Sequence, residues 1–265
     1  MTMTTHTNTN TNTNTNTQAT TAGPPTHTDT SPRRAAKIAG VSYVLLFVLG
    51  IFANFFVREG LIVSGDAQAT AANIVESEGL FRLGLVSFLI VFVLDVIVAW
   101  ALYIVFRNTD RDLSLLAAWF RIVYTVFLGV AAVFFFQALQ LLSGSDFLTA
   151  FDSEQLKAQA LVALDTFNAT WLIGLVGFGI HLMFLGSLVI RSGDAPKALG
   201  YVLLAAGTGY VIDTTANALL GNYNDYESLF LVIVAVPSIV GEGWLGLWLL
   251  LKAGKNSSTQ PVSLP

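Results

Sequence analysis

Apolar residues along this chain come in runs far longer than the core face of a soluble helix requires. Six such runs, at residues 38–57, 83–106, 113–142, 171–190, 198–220 and 229–251, each hold about 20 or more residues with few charges. A hydrocarbon core of about 30 Å is crossed by roughly 20 helical residues, so the runs predict six transmembrane α-helices and an all-α, polytopic membrane bundle. Gly and Pro inside the runs, Pro237 among them, do not oppose helix, because neighbouring helices in a bilayer satisfy the freed backbone groups. The first run follows Arg33, Arg34 and Lys37 as the core of a signal peptide would. Its full length, and the lack of a small-residue cleavage site after Phe56, predict an uncleaved first helix.

The flanks read differently. Residues 1–35 are mostly alternating Thr and Asn ending near Gly-Pro-Pro, with nothing apolar to bury, and predict a disordered tail. Residues 36–254 form the membrane domain and 255–265 a short flexible C-terminal tail. Two of the segments between runs are long enough to be partly helical; in the second, Asp152-Ser153-Glu154-Gln155 resembles a helix start and Leu156, Leu161 and Leu164 give it an apolar side. That pattern predicts a helix lying on the outer membrane surface.

Positive charge sets the orientation. With the N-terminus inside, the inner segments carry Arg33, Arg34, Lys37, Arg107, Arg111, Arg191, Lys197, Lys252 and Lys255, and the outer ones only Arg58, Arg82 and Lys157. The bias predicts a cell-membrane protein with both termini cytoplasmic. Composition agrees: 54% of residues are hydrophobic and 11% charged, and a net charge of −4 offers no basic field for nucleic acid. The absence of cysteine excludes disulfides, thiolate catalysis and cysteine-based clusters. No phosphate loop, nucleophile elbow or paired-histidine metal motif is present, and His6 and His27 lie in the tail, so no cofactor is expected.

Chemistry therefore rests on the ionisable residues inside the runs: Asp95, Arg121, His181, Asp213 and Glu242. Each costs at least about 2.5 kcal/mol in hydrocarbon, so such groups have partners or functions. At 1.5 Å of rise per residue, Asp95 lies about 18 Å from the inner end of its run, Arg121 about 13 Å, and His181 and Glu242 both about 15 Å. Four groups thus share one layer. Asp95 and Arg121 flank the turn at 107–112 and are expected to pair, either as register-setting glue or as part of a site. Three carboxylates against one obligatory cation leave surplus negative charge, to be removed by a proton, a charged His181, a bound cation or water. Asp213 lies about 24 Å in and, with Tyr210, Thr214 and Asn217, makes a polar stripe that should face the interior, as a seam or a cavity wall. Gly174, Gly177, Gly179, Gly186, Gly241, Gly243 and Gly246 predict close helix packing around His181 and Glu242.

The residues Gly79-Leu80-Phe81-Arg82 with Asp95, then Arg121, Ser143-Gly144 with Asp146 and Phe151, His181 with Leu185-Gly186, Arg191-Ser192-Gly193 with Pro196 and Leu199-Gly200, Gly209-Tyr210 with Asp213, and Gly241-Glu242 with Trp248 form an ordered set. In that set the chain resembles a bacterial multi-pass membrane family, the domain of unknown function 4386 family, over roughly residues 36–254. The resemblance implies the topology and the choice of embedded polar residues, and implies no activity or substrate.

Two functions follow as expectations. One is a small-solute or proton-linked transporter with Asp95, Arg121, His181, Tyr210, Asp213 and Glu242 at its site. The other is a non-catalytic module binding a lipid, small ligand or partner protein, its polar layer serving as glue. An intramembrane enzyme using His181 and a carboxylate is a third reading, and it requires the two to meet within a water's reach.

Overall fold

The computed structural model describes residues 1–2 and 30–251. The expected tails, and with them Lys252 and Lys255, lie outside the described residues apart from the stretch that enters the first helix. That helix, α1, starts at Pro32 rather than near residue 38: the Ser31 side chain accepts the Arg34 amide N–H, and a proline at the first helical position loses no hydrogen bond. It runs to Leu61. There follow α2 (Ala67–Glu76), α3 (Glu78–Phe106), α4 (Arg111–Leu141), α5 (Ser153–Ser192), α6 (Lys197–Leu219) and α7 (Glu227–Leu251).

α1, α3, α4, α5 and α7 are long and apolar enough to cross a membrane. The 23-residue α6 falls short of that mark and carries Thr208, Tyr210, Asp213, Thr214 and Asn217. In sequence order α1, α3, α4, α5, α6 and α7 each pack on the next, and α7 closes the circle against α1. The bundle is thus a ring of six helices with an interior of its own. Its outside is apolar: Val44 and Val48 of α1, Val86 and Val93 of α3, Val126 and Val133 of α4, Ile212 of α6 and Val236 of α7 are all exposed. A ring with so apolar an outside suits lipid.

Chain direction alternates around the ring, which brings α1's start and the α3–α4 and α5–α6 turns to one end. Pro32, Phe106, Thr109, Ser192, Asp194 and Trp248 line one small cavity there, and Arg191 reaches Asp110 at 2.8 Å. Asp110 also caps α4 by accepting the Leu113 N–H, and Gly193, at φ 69°, ends α5 in the left-handed conformation that glycine adopts without cost. Asp110→Ala removes cap and ion pair together and is expected to cost about 1 kcal/mol, against less for Asp110→Asn, which keeps the cap. Unfolding of the two variants in mixed micelles checks this order; equal losses would assign the effect to the ion pair.

This end carries Arg33, Arg34, Arg107, Arg111, Arg191 and Lys197. The other end carries Arg58, Arg82 and Lys157 against Glu59, Asp66, Glu76, Glu78, Asp146, Asp152, Glu154, Asp165, Asp225 and Glu227. One end is basic and the other acidic.

At the acidic end the structure corrects one expectation. The segment after Asp152 is no separate surface helix but the first part of the 40-residue α5, continuous to Ser192. Nothing between Asp152 and Gly193 breaks it: this stretch holds no proline, and its outer part is rich in the helix formers Ala, Leu and Gln. At 1.5 Å per residue α5 is about 60 Å long and overshoots a bilayer. α2 packs on the overshoot, where Lys157 reaches Gln68 at 2.9 Å, Glu154 bonds Gln68, and Thr70 exchanges hydrogen bonds with Val63.

Candidate functional site

Inside the ring, four helices contribute to one polar cluster at mid-depth. The Arg121 guanidinium of α4 donates from Nη2 to Asp95 Oδ1 of α3 at 2.5 Å, and from Nη1 to the Tyr43 hydroxyl of α1 at 2.9 Å and to His181 Nε2 of α5 at 3.2 Å. All four side chains are buried. The expected Asp95–Arg121 contact is therefore present, and it is the centre of a larger network. The rings of Tyr43 and Phe178 lie 5.1 and 5.4 Å from the guanidinium carbon, so aromatic faces add to its counter-charge.

His181 is fixed by its partners. A guanidinium has only donors, so Nε2 must accept; Nδ1 sits 2.8 Å from the Ala117 carbonyl, to which it must donate. Both ring nitrogens of a neutral imidazole are thus engaged, and no carboxylate is bonded to either. The reading of a histidine charged to balance the carboxylates does not fit this arrangement, nor does a direct His181–Glu242 acid–base pair.

Beside the cluster lies a cavity of about 750 Å³, within the range of small-molecule sites. Tyr43, Asp95, Arg121 and Glu242 line its inner part, whereas Glu59, Asn217 and Glu227 line it at the acidic end. Past the inner part, toward the basic end, stand the buried His181, Leu182, Leu185, Leu245 and Trp248. The cavity is a shaft that runs from the acidic end to the Arg121 layer, and the exposed Ile51 and Phe55 of α1 and Leu231 and Ile239 of α7 also lie on its wall.

Glu242 differs from Asp95 in having no match. It lies within electrostatic reach of Arg121 and Asp95, yet it makes no hydrogen bond or ion pair with a described residue, and it faces the cavity. The polar stripe of α6 also turns inward. Tyr210, Asp213 and Asn217 line the cavity, and Thr214 donates to the Leu172 carbonyl of α5 at 3.3 Å. Asp213 accepts a hydrogen bond of 2.6 Å from Tyr223 in the loop between α6 and α7. Partial burial and this carboxylate hold the Tyr223 phenol above its ordinary pKa. Among the described residues no three His, Asp or Glu side chains gather as a metal-binding group.

Sequence reasoning passed over Tyr43 and Arg58. Arg58 closes a π-helical stretch of α1, Phe52–Arg58, in which Asn54 donates to the Gly50 carbonyl and accepts from Arg58 Nη1 at 2.8 Å. The Arg58 guanidinium lies 5.2 Å from the Trp171 ring, on the cavity wall. π-helical turns inside α-helices recur at functional sites because they rotate one set of side chains out of register. The signal in the sequence was Asn54 and Arg58 spaced four apart at the end of an apolar run.

The chain matches the family described as Domain of unknown function (DUF4386) over residues 38–253. It is 35% identical over 181 residues to an uncharacterized protein of Archaeoglobus fulgidus, an alignment covering 68% of this chain and 89% of that one. No solved structure matches it. The chain belongs to the DUF4386 family.

Proposed function

We propose that this DUF4386 protein is a transporter in the cell membrane, with both ends of the chain cytoplasmic and the shaft as its solute site. All six helices of the ring cross the bilayer in this reading, the basic end facing inward and the acidic mouth outward. The observation that carries the reading is the shaft itself, which reaches from one end of the ring to the layer of Asp95, Arg121 and Glu242 and holds a carboxylate without a protein partner. A half-buried carboxylate at that depth needs a counter-charge, and exchanging one counter-charge for another couples a proton to a solute. Asp95, Arg121 and His181 form the floor, Tyr210 and Asp213 the wall, and Glu242 the exchanging group.

Purified protein in vesicles loaded with a pH-sensitive dye tests this with a panel of amines, amino acids, sugars and carboxylates. At least one solute is expected to drive an internal pH change that Glu242→Gln abolishes. A panel without any pH change or uptake, and a Gln variant that behaves as wild type, would remove transport. The stopped floor favours a second reading, a receptor-like module that binds a solute without moving it; its signature is binding to solubilised protein with no flux.

A further inference from the structure

Resting on the reading of the shaft as a solute site, we infer that its ligand is a small organic cation, an amine or quaternary ammonium with an apolar body, whose charge sits against Glu242. Three independent observations carry the ligand class. The first is the balance of charge at depth. Asp95 has Arg121 at 2.5 Å, so the pair is closed, while Glu242 faces the cavity alone. A ligand that brings one positive charge completes the set, and a neutral or anionic one leaves it incomplete.

The second is that the guanidinium nearest Glu242 is closed to an anion. Both terminal nitrogens of Arg121 are committed to Asp95, Tyr43 and His181, whereas Arg58, with Nη1 bonded to Asn54 and its guanidinium 5.2 Å from the Trp171 ring, stands toward the mouth of the shaft. Their Nε atoms lack partners but are sealed from the cavity by burial.

The third is the wall. Tyr43 and Tyr210 lie within electrostatic reach of Glu242, Phe178 packs on Tyr210, and Tyr124 and Trp171 continue the aromatic wall toward the mouth; the negative faces of such rings attract ammonium groups strongly where water is excluded. A bare metal ion would need several oxygens instead, and here Asp95 is taken by Arg121, which leaves one unpaired carboxylate beside aromatic rings. The acidic mouth adds long-range attraction for cations, focused by the low-dielectric walls of the shaft.

Calorimetric titration of the full-length, detergent-solubilised protein tests the inference with three probes that share a benzyl body: benzyltrimethylammonium, benzyl alcohol and phenylacetate. The cation is expected to bind about tenfold or more tightly than either of the others. Glu242→Gln should weaken the cation by at least about tenfold and leave benzyl alcohol unmoved. Ala235→Trp, which fills the shaft from α7, should abolish cation binding. Equal or tighter binding of the alcohol or the anion, or no binding of any probe, overturns the ligand class. Cation binding that Ala235→Trp blocks and Glu242→Gln leaves unchanged overturns the seat. If the Gln variant does not fold, the wild-type order of the three probes and the Ala235→Trp result decide. Cation binding without flux in vesicles would remove transport and keep this inference; flux of a neutral or anionic solute without cation binding would do the reverse.

Discussion

Arg121→Leu is expected to leave little folded protein. The substitution strands the Asp95 carboxylate, which is 2% exposed, and takes the donor away from the Tyr43 hydroxyl and His181 Nε2 at the same time. Removing one partner of a buried ion pair costs about 3–5 kcal/mol, because the remaining charge has neither water nor a counter-ion. Total stabilities run only about 5–15 kcal/mol, so the loss is a large share of what holds the ring together. Adding Asp95→Asn to Arg121→Leu removes the stranded charge and should restore much of the yield, although Tyr43 and His181 keep an unsatisfied neighbour. Asp95→Asn alone leaves a buried guanidinium and should fall between. The checks are monodisperse yield after solubilisation and the unfolding midpoint. An Arg121→Leu variant with the wild-type midpoint would show that the pair does not hold the helices.

Why that pair was legible in the sequence, and its surroundings were not, follows from what a helix makes periodic. The turn at 107–112 forces α3 and α4 into a hairpin, so depth alone brings Asp95 and Arg121 level, and one embedded cation has few choices among embedded anions. The stripe of Tyr210, Asp213, Thr214 and Asn217 was legible for the same reason, since its spacing marks one face of α6. Tyr43 and Arg58 were not, because a lone tyrosine in an apolar run has no phase that marks it, and Arg58 reads as a loop charge until the π-helical turn carries it onto the wall. His181 was found as a residue but not by its role: depth places it beside Glu242, whereas its rotation about α5 points it at Arg121 and Ala117. Sequence distance fixes height in a helix and leaves azimuth to packing. The extra length of α5 was missed for a different reason, since the polar residues after Asp152 end the apolar run without ending the helix.

Azimuth between α5 and α6 is set by glycine, and the second large effect is expected there. The two helices touch backbone to backbone: a Cβ added to Gly207 would collide with the Gly179 carbonyl oxygen and lie 2.8 Å from Met183 Cγ and 3.0 Å from the Met183 amide nitrogen. One turn pair further along, a Cβ on Gly200 would lie 2.7 Å from the Gly186 oxygen. Small residues permit such an approach in lipid, where dispersion between helices has to replace a hydrophobic driving force. Gly207→Ala therefore has to push the helices apart, at a cost of about 1–3 kcal/mol, and Gly207→Leu more. Gly79→Ala gives the contrast. A Cβ at Gly79, near the start of α3, meets nothing within 4 Å, so this change gains up to about 1 kcal/mol of helix propensity. Opposite shifts of the unfolding midpoint by the same chemical change would establish the crossing; an unmoved Gly207→Ala would show slack that the fold does not predict. Function should follow stability at this place. Tyr210 and Asp213 lie one to two turns beyond Gly207 on the same helix and line the shaft, so displacing α6 moves the wall beside Glu242 and should weaken binding of any solute seated there.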